Sequence, residues 1–126
     1  MIGQYRVPLI IHAPGFAWEG HDTSKVTQHS DIPKTVLDFV EVKGELPLTS
    51  VSAFKEEEGM ALNYANGSHW GVTSNYVLVL GQGQQEAKVY DWSSGELNAG
   101  GDTANPLLKA YLQYFTNGLI NNNLSL

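Results

Sequence analysis

Residues 6–15 read Arg6-Val7-Pro8-Leu9-Ile10-Ile11-His12-Ala13-Pro14-Gly15, an apolar run closed by a proline–glycine break. An unbroken triplet such as Leu9-Ile10-Ile11 suits a parallel strand covered on both faces, because neither side of the pleat carries a polar residue. Pro8, which cannot donate to a ladder, is tolerable only at a strand start or edge. Beyond the break, Ser30 or Asp31 is a good N-cap and Pro33 falls in the first turn of a helix. Ile32, Val36, Phe39 and Val40 recur at i, i+4, i+7 and i+8, one apolar stripe. Lys43-Gly44 supplies a cation for the dipole and a C-cap glycine. The pattern predicts a strand at about 8–12 and a helix over about 31–42, a βα unit forming a first lobe of about residues 5–43.

The 17 residues from Ala13 to His29 form a loop longer than the roughly 12–15 residues usual for a passive connection. Residues 44–59, with Pro47 and the acidic run Glu56-Glu57-Glu58, read as a surface connection. A second lobe, about 60–120, is β-rich. Met60 to Tyr64 reads as one strand. Trp70, Val72, Ser74, Tyr76, Leu78 and Leu80 alternate as one face of a second strand. Ala87 to Trp92 forms a third, joined through Gly81-Gln82-Gly83-Gln84-Gln85 as an antiparallel hairpin across 71–92. Ser93-Ser94-Gly95 turns the chain. Asn105-Pro106 opens a last helix over about 106–120, with Leu108, Tyr111, Leu112, Phe115 and Leu119 as its stripe and Asn121-Asn122-Asn123 as a fraying tail. The fold class is α/β, becoming α+β in the second half, in one domain over residues 1–126.

Composition narrows the partners. A net charge of −6 with seven Lys and Arg leaves no basic cluster to neutralise phosphates, which argues against nucleic acid as a partner and against adsorption to anionic lipid. There is no cysteine, so disulfides say nothing of the compartment. No run reaches the roughly 20 apolar residues of a membrane span, and residues 1–6 lack the regions of a signal peptide. Gly81-x-Gly83 lacks the third glycine and the helix of a dinucleotide site. Gly67-Ser68-His69 lacks the strand–turn–helix setting of a nucleophile elbow.

Three segments, in this order, resemble the late part of the sulfatase branch of the alkaline-phosphatase superfamily. Val7-Pro8-Leu9-Ile10-Ile11-His12-Ala13-Pro14-Gly15 is similar to its "VPL-apolar-apolar-x-x-PG" strand. His29-Ser30-Asp31-Ile32-Pro33-Lys34-Thr35-Val36-Leu37 is similar to its "H-x-D-apolar-x-P-T-apolar-L" helix start, with Lys34 standing between proline and threonine. Tyr90-Asp91-Trp92-Ser93-Ser94-Gly95-Glu96-Leu97-Asn98 is similar to its "Y-D-x-x-x-x-E-x" turn. The resemblance implies the C-terminal fragment of an alkaline-phosphatase-like fold: a βα unit, a small antiparallel sheet and a terminal helix. It implies a sulfatase-like hydrolase or phospho- or sulfo-transferase that is not catalytic through this chain alone. The parent would use a divalent metal (Mn, Zn, Ca or Mg), its N-terminal catalytic part would be this chain's partner, and it would act at the extracytoplasmic, periplasmic face of a bacterial inner membrane. Neither the family's nucleophile strand nor its "D-H-G" motif occurs here, so no catalytic residue and no metal ligand is assigned. His21-Asp22 has the reverse order, and Thr35 reads as structural.

What chemistry remains centres on the histidines. His12 ends the predicted strand, the edge at which open α/β sheets bind ligands. His29 and Asp31 stand at the helix N-terminus, where backbone donors favour an anion such as a phosphate or sulfate ester or a lipid headgroup. His12, His29 and Asp31 are therefore the candidate substrate contacts. Alternatively, Asp31 or His29 caps the helix and His12 bonds a loop carbonyl. His69 reads as a strand-entry residue. Trp70, Tyr76, Tyr90 and Trp92 form either a stacking surface or the packing between hairpin and last helix. Two other functions stand beside the enzyme fragment: a non-catalytic lipid- or protein-binding regulatory module of an inner-membrane protein with the same fold, and a free-standing small binding domain. An upstream Thr or Cys nucleophile with "D-H-G" separates the first from the second, and an open reading frame ending just before Met1 marks the third.

Overall fold

The computed structural model describes residues 7–15, 24–44, 46, 50–98 and 105–121. Its centre is a four-stranded antiparallel sheet of β1 (Ala61–Ala65), β2 (Ser68–Val72), β3 (Tyr76–Gly81) and β4 (Lys88–Asp91), in the order β1-β2-β3-β4. Each hairpin has a local cause. Asn66 and Gly67 both take positive φ, 52° and 72°, between Ala65 and Ser68. That is the two-residue geometry matching strand twist, which asparagine and glycine adopt at least cost. Between β2 and β3 the Thr73 hydroxyl accepts from the N–H of Asn75 (3.3 Å) and of Tyr76 (3.0 Å), and Thr73 N–H donates to Tyr76 C=O at 2.9 Å.

That turn corrects the single strand expected over 70–80. Because the chain reverses at Ser74-Asn75, the alternation does not run through. Gly71 pairs with Leu78 and His69 with Leu80, whereas Trp70 pairs with Val79 and Val72 with Val77. Trp70 and Val72 thus lie on the face opposite Leu78 and Leu80. The first face is the core. Leu78, Val89, Met60 and Ala87 are buried there with Leu108 of the C-terminal helix, while Leu62, Tyr76, Leu80, Tyr111 and Leu112 pack around them. Full burial of Leu78 and Leu108 contributes about 1.5–3 kcal/mol each. Gly71 sits beneath that helix. A Cβ there would meet Leu108 Cδ1 at 3.0 Å and Met60 Sδ at 3.2 Å, so glycine sets the closeness of helix to sheet.

The first helix, α1 (Ile32–Phe39), follows a 3-10 turn over His29–Asp31. Its start agrees with the expected cap region, but its end falls three residues short of 42. Val42 N–H reaches back to Leu37 C=O (2.9 Å) and Glu41 N–H to Asp38 C=O (3.3 Å), with Glu41 at φ 56°. These are the two reversed bonds of a Schellman stop, here formed around glutamate ahead of the expected Lys43-Gly44. The C-terminal helix, α2 (Asn105–Ile120), has the expected bounds. Only the first half of its stripe is covered, and Phe115 and Leu119 are exposed.

No strand forms over 8–12. A strand needs a neighbour for its N–H and C=O groups, and the sheet is built wholly from residues 61–91, with no described residue beside 8–12 to pair with it. Alternation survives in the side chains: Leu9 and Ile11 turn toward α1, and Ile10 is 84% exposed. Residues 44–59 are likewise more than a surface connection. Val51, Ser52, Gly59 and Met60 are buried, while Glu56, Glu57 and Glu58 are exposed. Val51 and Ser52 are drawn in because the start of α1 bonds their stretch of backbone.

Candidate functional site

Two features flank α1, a polar junction at its N-terminus and an apolar groove along its side. At the junction Asp31 is only 3% exposed. Its Oδ2 accepts from Gln28 N–H at 2.9 Å and its Oδ1 from Val51 N–H at 3.0 Å. One turn on, the buried Thr35 hydroxyl donates to Asp31 C=O (2.8 Å) and accepts from Ala53 N–H (2.9 Å). Ser50 Oγ donates to Ser30 C=O at 3.0 Å, and Lys25 Nζ donates to the carbonyls of Ser52 and Lys55. The first turns of α1 and residues 50–55 are thus clamped together by polar groups. The Gln28 carbonyl oxygen, Oε1, accepts from Leu62 N–H at 3.0 Å and joins the clamp to β1. On β1 itself, Tyr64 N–H donates to Asn63 Oδ1 at 2.8 Å.

Next to the clamp, Asp38 pairs with Lys34 at 3.4 Å. The Ser52 hydroxyl beside it is the main cause that holds its carboxyl below the usual carboxylate range; partial burial opposes this, and Lys34 and Lys55 add to it. A hydroxyl, a carboxylate and lysines in one place have the ingredients of an activated nucleophile, and the sequence reading passes over them because Asp38 and Ser52 lie on separate segments. Ser52, however, is 1% exposed, and a nucleophile shut from solvent meets no substrate. The cluster holds residues 50–55 to α1.

The groove has a volume of about 100 Å³ and lies between Leu9 and Ile11 on one side and Ile32, Val36 and Phe39 of α1 on the other. Phe54 also lines it, its ring 6.0 Å from that of Phe39. The amphipathicity of α1 is therefore partly inverted: its buried residue is Thr35, while Ile32, Val36 and Val40 remain exposed.

The three predicted contact residues fall in different surroundings. His12 is exposed in the segment beside α1, and His29 is exposed on the 3-10 turn. Asp31 stands two residues from His29, with both oxygens engaged by backbone N–H groups. His21, Asp22 and Thr23 lie outside the described residues. Among the described residues no three His, Asp or Glu side chains converge as a metal would require. His69 lies within β2 and packs against the Tyr64 ring, the centroids 4.8 Å apart and the planes tilted by 54°. The predicted aromatic surface divides: Tyr76 joins the core beneath α2, whereas Trp70 and Tyr90 lie on the other face, where Trp70 Nε1 donates to Ala65 C=O at 3.3 Å. The reversal at Ser74-Asn75 is again the reason.

The predicted turn after β4 is present. Asp91 Oδ1 accepts from the N–H and hydroxyl of Ser93 (2.8 and 2.5 Å) and from the N–H of Ser94 (2.9 Å). These bonds, the Ser93 hydroxyl first, lower its carboxyl to about 2. Asn98 N–H then returns to Val89 C=O at 2.7 Å alongside β4. Comparison of the chain with family models, with curated proteins and with solved structures yields no match.

Proposed function

We propose that this chain is the C-terminal subdomain of a sulfatase-like hydrolase or phospho- or sulfo-transferase, contributing a wall to a cleft rather than the reacting groups. The observation that carries the reading is the Leu9-Ile10-Ile11 segment. It is apolar toward both sides, lies along α1, and has no ladder partner among the described residues. A βα unit with that composition becomes complete when a sheet pairs with its backbone and covers Ile10. In the proposed parent the upstream chain supplies that sheet, at the extracytoplasmic face of a bacterial inner membrane.

In that arrangement the exposed imidazoles of His12 and His29 are the groups free to donate to a sulfate or phosphate ester, and Asp31 fixes the turn that carries His29. The parent's divalent metal does not fit the described residues, which offer no converging ligand set, and no step through a metal is derived from this chain. The test compares this chain with a longer protein carrying about 200 further upstream residues, a second domain's worth. Cleavage of phosphodiester, phosphomonoester and sulfate esters is measured with manganese or zinc. Turnover by the longer protein and none by the chain alone is expected. Saturable turnover by the chain alone sinks the proposal. A longer protein that binds lipid or protein without turnover replaces it with a non-catalytic module.

A further inference from the structure

We draw no further inference here: the strongest candidate, the apolar groove between Leu9, Ile11 and the exposed Ile32–Val36 side of α1, carries nothing beyond the proposed function because nothing in the structure shows what covers it.

Discussion

Asp31 and His29 are two residues apart and are expected to answer mutation in opposite ways. Asp31→Ala removes both acceptors of a buried junction and leaves the N–H groups of Gln28 and Val51 unsatisfied. The expected loss is about 2–3 kcal/mol, read as a lowered denaturant midpoint. His29→Ala alters an exposed side chain and should shift stability by less than about 0.5 kcal/mol. In the longer protein the same change should lower turnover several-fold, and unchanged turnover removes His29 from the site. Asp91 gives a pH signature. Its carboxyl is lowered from 3.8 to about 2 on folding, so its contribution is fully present above about pH 4 and disappears as pH falls through about 2. Urea midpoints measured across that range should fall more steeply for the native chain than for Asp91→Asn. Parallel curves would mean that the serine bonds do not persist in solution.

At the scale of elements, α1 ends on glutamate in a conformation that glycine adopts without a Cβ penalty. Glu41→Gly should therefore raise stability by about 0.5–1 kcal/mol, the left-handed cost less the entropy glycine loses, as a thermal midpoint shift of a few degrees. A lowered midpoint would show that the Glu41 side chain contributes more than its backbone strain costs. The same site shows why helix ends are hard to read. The starts of both helices were legible because Pro33 and Pro106 act locally, although Asp31 makes no side-chain bond to the N–H groups of α1. The stop at Glu41 has no composition signal, and Lys43-Gly44 offered a better one further on. Asn66-Gly67 is a local hairpin signal that the reading left unused, and strict alternation from Trp70 to Leu80 carried it past the reversal at Ser74-Asn75. Thr73, whose hydroxyl builds that reversal, is a good strand residue by propensity. The Asp31–Val51 and Thr35–Ala53 bonds join segments about twenty residues apart, and no local pattern announces them.

For the whole molecule, the sheet and α2 make one core, and the first lobe is held to it by polar bonds with its apolar stripe largely outside. Ile10→Lys tests what that stripe is for. In this chain alone the change should leave the melting temperature within about a degree, because Ile10 is already in solvent. In the longer protein it should place a charge inside a sheet, lowering the melting temperature by several degrees or leaving the product insoluble. Equal behaviour in both proteins would count against strand pairing at residues 8–12. The β1 side of the sheet is closed. β1 is a sheet edge, the place where one chain ordinarily recruits another into aggregates. Its two outward-pointing donors, Leu62 N–H and Tyr64 N–H, are already occupied by the side-chain oxygens of Gln28 and Asn63. A foreign strand approaching that edge finds neither donor free and must first displace an amide, so the chain carries its own guard against fibre growth along β1.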